Sequence, residues 1–126
     1  QIVEYNLTAD ENKLLSGTIK NRDLLFEAKK ELNKPKLDQE FFGSLLSEHH
    51  SILRNDLKIS TPKIELMLKS SLEAGAYGGK INGSGGGGCM FAYCPNNPEE
   101  VRDAINNAGG RAHIVYADDG TTINTK

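Results

Sequence analysis

The chain has 126 residues, a formal net charge of −2 at pH 7 and 25% charged residues of both signs. This length suits one domain with a core of its own. The basic residues are too scattered to form the stripe that nucleic-acid binding needs, no apolar run approaches the ~18 residues of a membrane span, and no signal peptide opens the sequence. We therefore expect neither a nucleic-acid nor a membrane partner.

The two cysteines, Cys89 and Cys94, fall in one strand-like run. Five positions apart on a strand, their side chains point to opposite faces, so we expect no disulfide between them. A C-x4-C spacing without further cysteines is not a zinc signature. The pattern predicts two buried free thiols, as in a protein of the reducing cytoplasm, and no metal site.

The first part of the chain predicts a short strand over residues 2–6 and then a long helix over residues 9–33. Thr8 and Glu11 have the spacing of a capping box, which marks the start of that helix. Arg22 falls on the predicted apolar stripe, where we interpret it as a side chain snorkelling over the edge of the core; a cation facing a cleft is the alternative. The stripe consists of Leu15, Ile19, Leu25, Phe26, Ala28 and Leu32.

A second helix is predicted over residues 39–55, with Asp38 as its N-cap and Pro35 ending the helix before it. The short connection indicates an antiparallel helix pair. Adjacent helical residues point about 100° apart, so His49 and His50 cannot readily share a metal, and we expect structural or solvent-facing roles for them. The apolar face consists of Phe42, Leu45, Leu46, His49, Ile52 and Leu53.

The second half of the chain predicts a connector over residues 56–60 and a third helix, capped by Thr61 with Pro62 at its first position. Its buried face is Ile64, Met67, Leu68, Ser71 and Leu72, and Gly75 ends it in a left-handed conformation. Strands at 77–82 and 88–94, a helix at 98–108 capped by Asn97, and a strand at 112–117 follow. Asp56, Asp118 and Asp119 are interpreted as connector or turn residues.

These elements predict an α+β domain in which helices pack on an antiparallel sheet. The strand at 88–94 is apolar on both faces, which predicts a central strand covered on both sides. The helix at 98–108 buries Val101, Ala104, Ile105 and Ala108. Residues 121–126 are expected to form a tail or a short edge strand.

A glycine-rich loop joins the two strands of the predicted hairpin. It consists of Asn82, Gly83, Ser84, Gly85, Gly86, Gly87 and Gly88. Each glycine costs roughly 0.5–1 kcal/mol relative to alanine in ordered structure, so some benefit must offset that cost. We favour an anion-binding loop whose backbone N–H groups surround phosphate oxygens. A flexible linker and a plain hairpin loop are the alternatives.

Two common phosphate motifs do not fit this loop. Residues 83–88 match G-x-G-x-x-G, but that fingerprint needs a helix after it, and a strand is predicted here. Residues 75–80 are one residue short of a P-loop and lack the Ser or Thr that follows its lysine. If the loop binds phosphate, it does so in another structural context.

Residues 78–89, Gly-Gly-Lys-Ile-Asn-Gly-Ser-Gly-Gly-Gly-Gly-Cys, resemble the third conserved motif of the GHMP kinases, a superfamily of small-molecule kinases. The segment from Ser47 to Pro62 is similar to a helix and connector of galactokinases. The resemblance extends over most of the chain from about Leu14, and it is most specific between Ser47 and Tyr93.

The resemblance implies a ferredoxin-like arrangement and the C-terminal domain of an ATP-dependent sugar-1-kinase similar to galactokinase. It implies that the ATP-binding motif and the catalytic residues lie in an N-terminal domain absent from this chain, which begins at Gln1 and is expected to be an inactive fragment alone. ATP with Mg would be held mainly by that domain, with the sugar as the other partner. We assign no catalytic residue here.

Two points stay open within this resemblance. The helix carrying His50 lies near the active-site cleft in galactokinases, which gives His50 an alternative role facing that cleft. Asn55 and Leu57 stand where many galactokinases carry acidic and aromatic residues, so a heptose, fucose or another small alcohol remains an alternative substrate. A hypothesis of a different class is a free-standing regulatory module that binds a phosphorylated metabolite.

Overall fold

The computed structural model describes residues 6–120, and this part of the chain folds into four helices and one antiparallel pair of strands. The predicted α+β class is confirmed. No helix in this range is long and apolar enough to cross a membrane. The elements are α1 (Ala9–Leu32), α2 (Gln39–Asn55), α3 (Pro62–Glu73), β1 (Gly78–Asn82), β2 (Cys89–Tyr93) and α4 (Pro98–Asn107).

The predicted helix starts are confirmed by their capping contacts. The Thr8 hydroxyl accepts from the backbone of Glu11 at 3.3 Å, and the Glu11 carboxylate accepts from the backbone of Thr8 at 2.8 Å. Asp38 and Thr61 cap α2 and α3 in the same way through their side-chain oxygens. Each cap satisfies an N–H group that the first helical turn leaves without a partner. Asn97 occupies the N-cap of α4 without a side-chain hydrogen bond.

The main core lies between α3, β1 and α4. Ile81 of β1 is fully buried, and Ile64 and Val101 are almost fully buried beside it. Met67, Leu68 and Ile105 complete this cluster with Leu53 and Ala76. A smaller cluster, formed by Leu24, Leu45 and Ile52, joins α1 to α2. The predicted buried positions of α3 are therefore confirmed except for Leu72, which is exposed.

The predicted buried stripe of α1 is wrong. Leu15, Ile19, Leu25, Phe26 and Leu32 are 42–63% exposed, and Leu14 is exposed beside them. The helix buries Gly17, Leu24 and Glu31 instead. Sequence periodicity finds an apolar stripe but cannot tell whether another element covers it. We call the six exposed residues the outer face of α1.

Arg22 lies within this outer face, exposed, and pairs with the adjacent Asp23 at 2.7 Å. Its predicted position over the edge of the core is therefore wrong, because the stripe around it is not core. Asp56 follows α2 as its C-cap and lies 3.7 Å from Lys13, which agrees with its interpretation as a connector residue.

Two predictions about the sheet are also wrong. Within residues 6–120, β2 pairs with β1 alone, and most of its residues are exposed or half-buried, so it is not a central strand. The predicted strand at 112–117 has no regular structure, and Val115 and Tyr116 are at least 80% exposed. An apolar pattern predicts burial, but in residues 6–120 the core cluster covers one face of β2, and the described contact with its other face is the edge-to-face pair of Phe42 and Tyr93, with ring centroids 5.3 Å apart. The predicted strand at residues 2–6 lies outside the described residues except for Asn6, and the predicted tail or edge strand at 121–126 lies outside them entirely.

The cysteine prediction is confirmed in part. Both thiols are free, as expected, but Cys89 is exposed and Cys94 is half-buried. Cys89 lies on the open face of β2, whereas Cys94 packs against the core from the end of the strand, where it is only partly covered. Burial raises the pKa of the Cys94 thiol, with a smaller contribution from Glu99.

Helix α2 covers the free edge of β1. The Ser47 hydroxyl accepts from the Gly79 N–H group at 3.4 Å, and Nδ1 of His50 accepts from the Ile81 N–H group at 3.4 Å. These two side chains supply acceptors that a neighbouring strand would otherwise provide. The backbones approach closely, since a Cβ on Gly78 would lie 1.8 Å from the Gly43 carbonyl oxygen.

We predict that Gly78→Ala lowers the unfolding free energy by about 2 kcal/mol or more, because its methyl group would push α2 away from β1. Urea unfolding measures this loss. Gly120→Ala is the matched control, since a Cβ there meets nothing within 4 Å. Equal stability of the two variants would contradict the close packing of α2 on β1.

Candidate functional site

The glycine loop spans residues 83–88, between the paired residues Asn82 and Cys89. Its five glycines all have positive φ, between 72° and 124°. Side chains with a Cβ rarely adopt this region, because the Cβ crowds the neighbouring carbonyl oxygen. This confirms that the run of glycines meets a backbone requirement of the loop.

The glycine loop is largely exposed, and most of its N–H groups have no described partner. Residues 82–88 are exposed apart from Gly85, which is half-buried. Among the hydrogen bonds of the described residues, one starts from a loop N–H group, from Gly86 to the Ile59 carbonyl at 2.7 Å. The other loop N–H groups are free to donate to a ligand, and such clusters of N–H groups can hold an anion.

Gly85 differs from the other four loop glycines in the space that surrounds it. A Cβ on Gly83, Gly86, Gly87 or Gly88 would meet nothing within 4 Å. A Cβ on Gly85 would lie 2.6 Å from the Ile59 carbonyl oxygen. Gly85 is thus needed for packing on the connector, while the other four leave the outer surface of the loop open.

Lys80 brings a positive charge to the strand that enters the loop. Its Nζ donates to the Ile81 carbonyl at 2.7 Å and lies 5.5 Å from the centroid of the Phe91 ring. Burial lowers the pKa of Lys80. Burial also lowers the pKa of the half-buried His49, with smaller contributions from Lys80 and His50. An anion near this strand would favour the charged form of both groups.

Near the connector that anchors the loop, the carboxylate of Glu65 accepts hydrogen bonds from three side chains. Nε2 of His50 lies 2.7 Å from one carboxylate oxygen, Nη1 of Arg54 lies 3.0 Å from the other, and the Ser60 hydroxyl donates to the first. Because Nδ1 of His50 accepts from Ile81, Nε2 carries the proton that is donated to Glu65. One side chain therefore connects α2, the connector and α3.

The structure gives His50 a structural position. It is 5% exposed, and both ring nitrogens have protein partners. This agrees with the predicted structural role. Sequence reasoning did not single out Ser47, Ser60 or Glu65. Only the spacing of Ser47 and His50, three residues apart on one helix face, could have indicated their shared role.

The family profile described as "GHMP kinases C terminal" matches residues 28–111, two thirds of the chain. The chain belongs to this family, which confirms the superfamily predicted from the loop and from the segment that begins at Ser47. The glycine loop, the connector and Glu65 all lie inside the matched region, whereas most of α1 precedes it.

Individual relatives in this family are kinases. The mevalonate kinase of Pyrococcus abyssi is 36% identical over 107 residues, which cover 82% of this chain and 32% of the relative. The mevalonate kinase of Pyrococcus furiosus is 45% identical over 76 residues, covering 60% of this chain and 22% of the relative. The galactokinase of Roseiflexus sp. is 33% identical over 81 residues, which cover 60% of this chain and 21% of the relative.

Among solved structures, the fold is similar to that of L. major mevalonate kinase in complex with R-mevalonate. The TM-score is 0.59 at 21% identity, covering 84% of this chain and 34% of that chain. At this identity the similarity shows the fold alone. The chain spans about a third of the length of the curated relatives that it matches most extensively.

These comparisons refine the predicted resemblance to galactokinase. The Pyrococcus abyssi mevalonate kinase matches a larger part of the chain, at higher identity, than the Roseiflexus galactokinase does. Membership of the superfamily is confirmed, and the relatives include both mevalonate kinases and galactokinases. The predicted preference for a sugar is not established by them.

The hydrogen bonds to Glu65 predict a pH dependence of stability. Partial burial acts to raise the pKa of this carboxyl, but hydrogen bonds from Ser60, His50 and Arg54 together hold it below its usual value of 4.5. A carboxyl with a lower pKa in the folded state contributes stability that is complete above pH 4.5. That contribution is lost as the pH falls through the folded pKa.

We therefore expect the unfolding free energy of Glu65→Gln to fall less steeply than that of the parent chain between about pH 5 and pH 3. Denaturant unfolding at a series of pH values measures the two slopes. Glu27→Gln, at an exposed position of α1, should keep the parent slope. Parallel curves for Glu65→Gln and the parent would contradict the proposed hydrogen bonding.

Proposed function

We propose that this chain is the C-terminal part of an ATP-dependent GHMP kinase that transfers a phosphoryl group to an alcohol of a small molecule. The observation that carries the proposal is the exposed loop over residues 83–88, inside the segment that matches the family. It has five positive-φ glycines, and its N–H groups apart from that of Gly86 have no described partner. In this proposal residues 82–88 line the cleft where phosphate and substrate meet.

Phosphoryl transfer depends mainly on positioning and on electrostatic stabilisation, and needs little covalent chemistry from the protein. Backbone N–H groups suit this task because they are fixed donors that need no reorganisation as charge develops on the phosphoryl oxygens. The lack of side chains at four open glycines lets an oxygen approach these donors closely. Lys80 adds a charge at the entry strand.

The metal that accompanies ATP needs ligands from elsewhere. In residues 6–120 no group of three or more His, Cys, Asp or Glu side chains is placed to hold a metal ion. We therefore propose that Mg²⁺ and most of the ATP are bound by an N-terminal domain, and that the loop contributes donors to phosphate oxygens. Mg²⁺ would neutralise charge on the phosphates.

For the substrate, mevalonate is our first candidate, because relatives named mevalonate kinase match four fifths of the chain. A sugar such as galactose is the second, supported by the galactokinase match over 60% of the chain. The free thiols agree with a cytoplasmic location for such an enzyme. A free-standing metabolite-binding module is the alternative of a different class.

The outer face of α1 supports the proposal that the chain works as part of a larger kinase. Six large apolar side chains lie on one helix, each at least 42% exposed. Contiguous exposed apolar surface of this kind marks contact sites with other protein segments. The relatives contain about twice as much additional chain as they share with this one, and we propose that part of it packs on this face.

The role of the loop is tested by Gly86→Ala in the longer kinase chain. We expect kcat/KM with mevalonate or galactose to fall about a hundredfold, since the new methyl group occupies the open side of the loop where phosphate would approach. Gly109→Ala is the matched control, because its φ of 84° and open surroundings carry the same backbone strain away from the loop.

Coupled ATP-consumption assays measure both variants on a panel containing mevalonate, galactose, fucose and a heptose. Equal loss in Gly86→Ala and Gly109→Ala would contradict a phosphate-binding role of the loop. Absence of turnover by the parent on every substrate, together with micromolar binding of a phosphorylated metabolite by this chain alone, would favour the binding-module alternative.

The packing role of α1 is tested by Phe26→Ser, with the neighbouring exposed Glu27→Ser as control. In this chain alone we expect both variants to stay within about 0.5 kcal/mol of the parent, because both positions are exposed. In the longer kinase Phe26→Ser should cost about 2 kcal/mol by losing buried aromatic area. Thermal unfolding of both forms measures this, and unchanged stability of the longer Phe26→Ser chain would exclude packing on this face.

A further inference from the structure

Glu65 lies in the first turn of α3, and its carboxylate is the meeting point of three segments. Its donors are His50 and Arg54 of α2 and Ser60 of the connector. The side chain is 32% exposed and lines an open pocket of about 340 Å³ beside α2 and β1. It is therefore neither part of the apolar core nor freely solvated.

One branch of this cluster leads to the middle of the glycine loop. Ser60 follows Ile59, whose carbonyl oxygen accepts the hydrogen bond from Gly86. Ile59 also packs against Gly85, where a Cβ would lie 2.6 Å from its carbonyl oxygen. The Ile59 carbonyl belongs to the peptide that joins Ile59 to Ser60, so its orientation depends on how Ser60 is held, together with the hydrogen bond from the Ile59 N–H group to the Leu53 carbonyl at 3.1 Å.

The other branch leads to the strand that enters the loop. His50 donates to Glu65 through Nε2 and accepts from the Ile81 N–H group through Nδ1. Ile81 lies one residue before Asn82, where β1 ends. His50 therefore connects Glu65 to the entry strand, and Ser60 connects it to the residue whose carbonyl anchors the middle of the loop.

We propose that Glu65 is a positioning residue for the glycine loop, which fixes the loop through Ser60 and His50 so that its free N–H groups converge on a phosphate. This inference rests on the proposed function of the loop. Glu65 itself contacts neither the loop nor any ligand, and it acts through the Ile59 carbonyl and the edge of β1.

The chemistry of the cluster requires a carboxylate. An ionised carboxylate only accepts hydrogen bonds, and here it receives three of them. His50 and Ser60 donate to one oxygen and Arg54 to the other, so a glutamine with its oxygen toward His50 and Ser60 would lose the hydrogen bond from Arg54. Because its oxygen is uncharged, the hydrogen bonds from His50 and Ser60 would also weaken. Because the pocket beside Glu65 is open, Glu65→Gln should lose a hydrogen bond without a steric clash.

A positioning role and a purely stabilising role predict different hydrogen exchange. We expect Glu65→Gln to speed exchange of the Gly86 amide at least about tenfold more than exchange of core amides such as that of Leu68, because the support of the loop anchor weakens while the core stays folded. NMR-detected exchange on this chain measures both. Glu73→Gln is the matched control on the same helix, where the carboxylate is exposed and pairs with Lys69 at 3.8 Å.

Ser60→Ala supplies a second variant that removes only the branch to the connector. It should loosen the Gly86 amide as Glu65→Gln does and leave the amide of Ile81 protected. If Glu65→Gln does not fold, Ser60→Ala decides the question alone. Equal acceleration of Gly86 and Leu68, or an unchanged Gly86 in either folded variant, would overturn the positioning role.

Kinetics of the longer kinase separate this inference from the proposed function. We expect Glu65→Gln and Ser60→Ala to lower kcat/KM for ATP about tenfold, and Glu73→Gln to stay within about twofold of the parent. If the parent phosphorylates no substrate, the proposed function fails, while the exchange data still decide whether Glu65 orders the loop. Full activity of a variant whose Gly86 amide exchanges faster would overturn the positioning role of Glu65 and leave the proposed function standing.

Discussion

The hydrogen bond from the Gly86 N–H group to the Ile59 carbonyl is the contact on which the shape of the glycine loop depends. It is the one described hydrogen bond that starts from a loop N–H group, and Gly85 packs against the same residue. A loop of glycines has little intrinsic preference for one conformation, so an anchor of this kind must select it. The rest of the loop can then leave its N–H groups free for an anion.

The packing of the domain serves this anchor. Helix α2 approaches β1 so closely that only glycine fits at residues 43 and 78, and its Ser47 and His50 side chains cover the strand edge. The same helix delivers His50 and Arg54 to Glu65, which lies on the following helix. The edge of β1 and the connector are therefore both hydrogen-bonded, directly or through His50, to the carboxylate of Glu65, and the loop is hydrogen-bonded to the connector. Directional hydrogen bonds of this kind can orient a loop, which non-directional apolar packing cannot do.

Local signals in the sequence correctly predicted the features that depend on residues close together in the chain. The capping residues Thr8, Asp38 and Thr61 indicated three helix starts, and the glycine run indicated the loop between the two strands. Predictions that depend on distant partners were less successful. The stripe through Phe26 was expected to be buried and both faces of β2 to be covered, but no described element covers the stripe, and one face of β2 is left mostly open. The Glu65 cluster joins residues up to fifteen positions apart, which no helical or strand period reveals.

The most direct test of the central claim is an NMR titration of the ¹⁵N-labelled chain with ADP or pyrophosphate up to about 10 mM, a range that detects weak binding. The account predicts saturable shifts of the backbone amides of residues 83–88, smallest at Gly86 because its N–H group is already engaged, and few shifts in α4. Loss of these shifts in Gly86→Ala but not in Gly109→Ala would locate the binding. Shifts spread evenly over the surface, or none in the loop, would contradict the account.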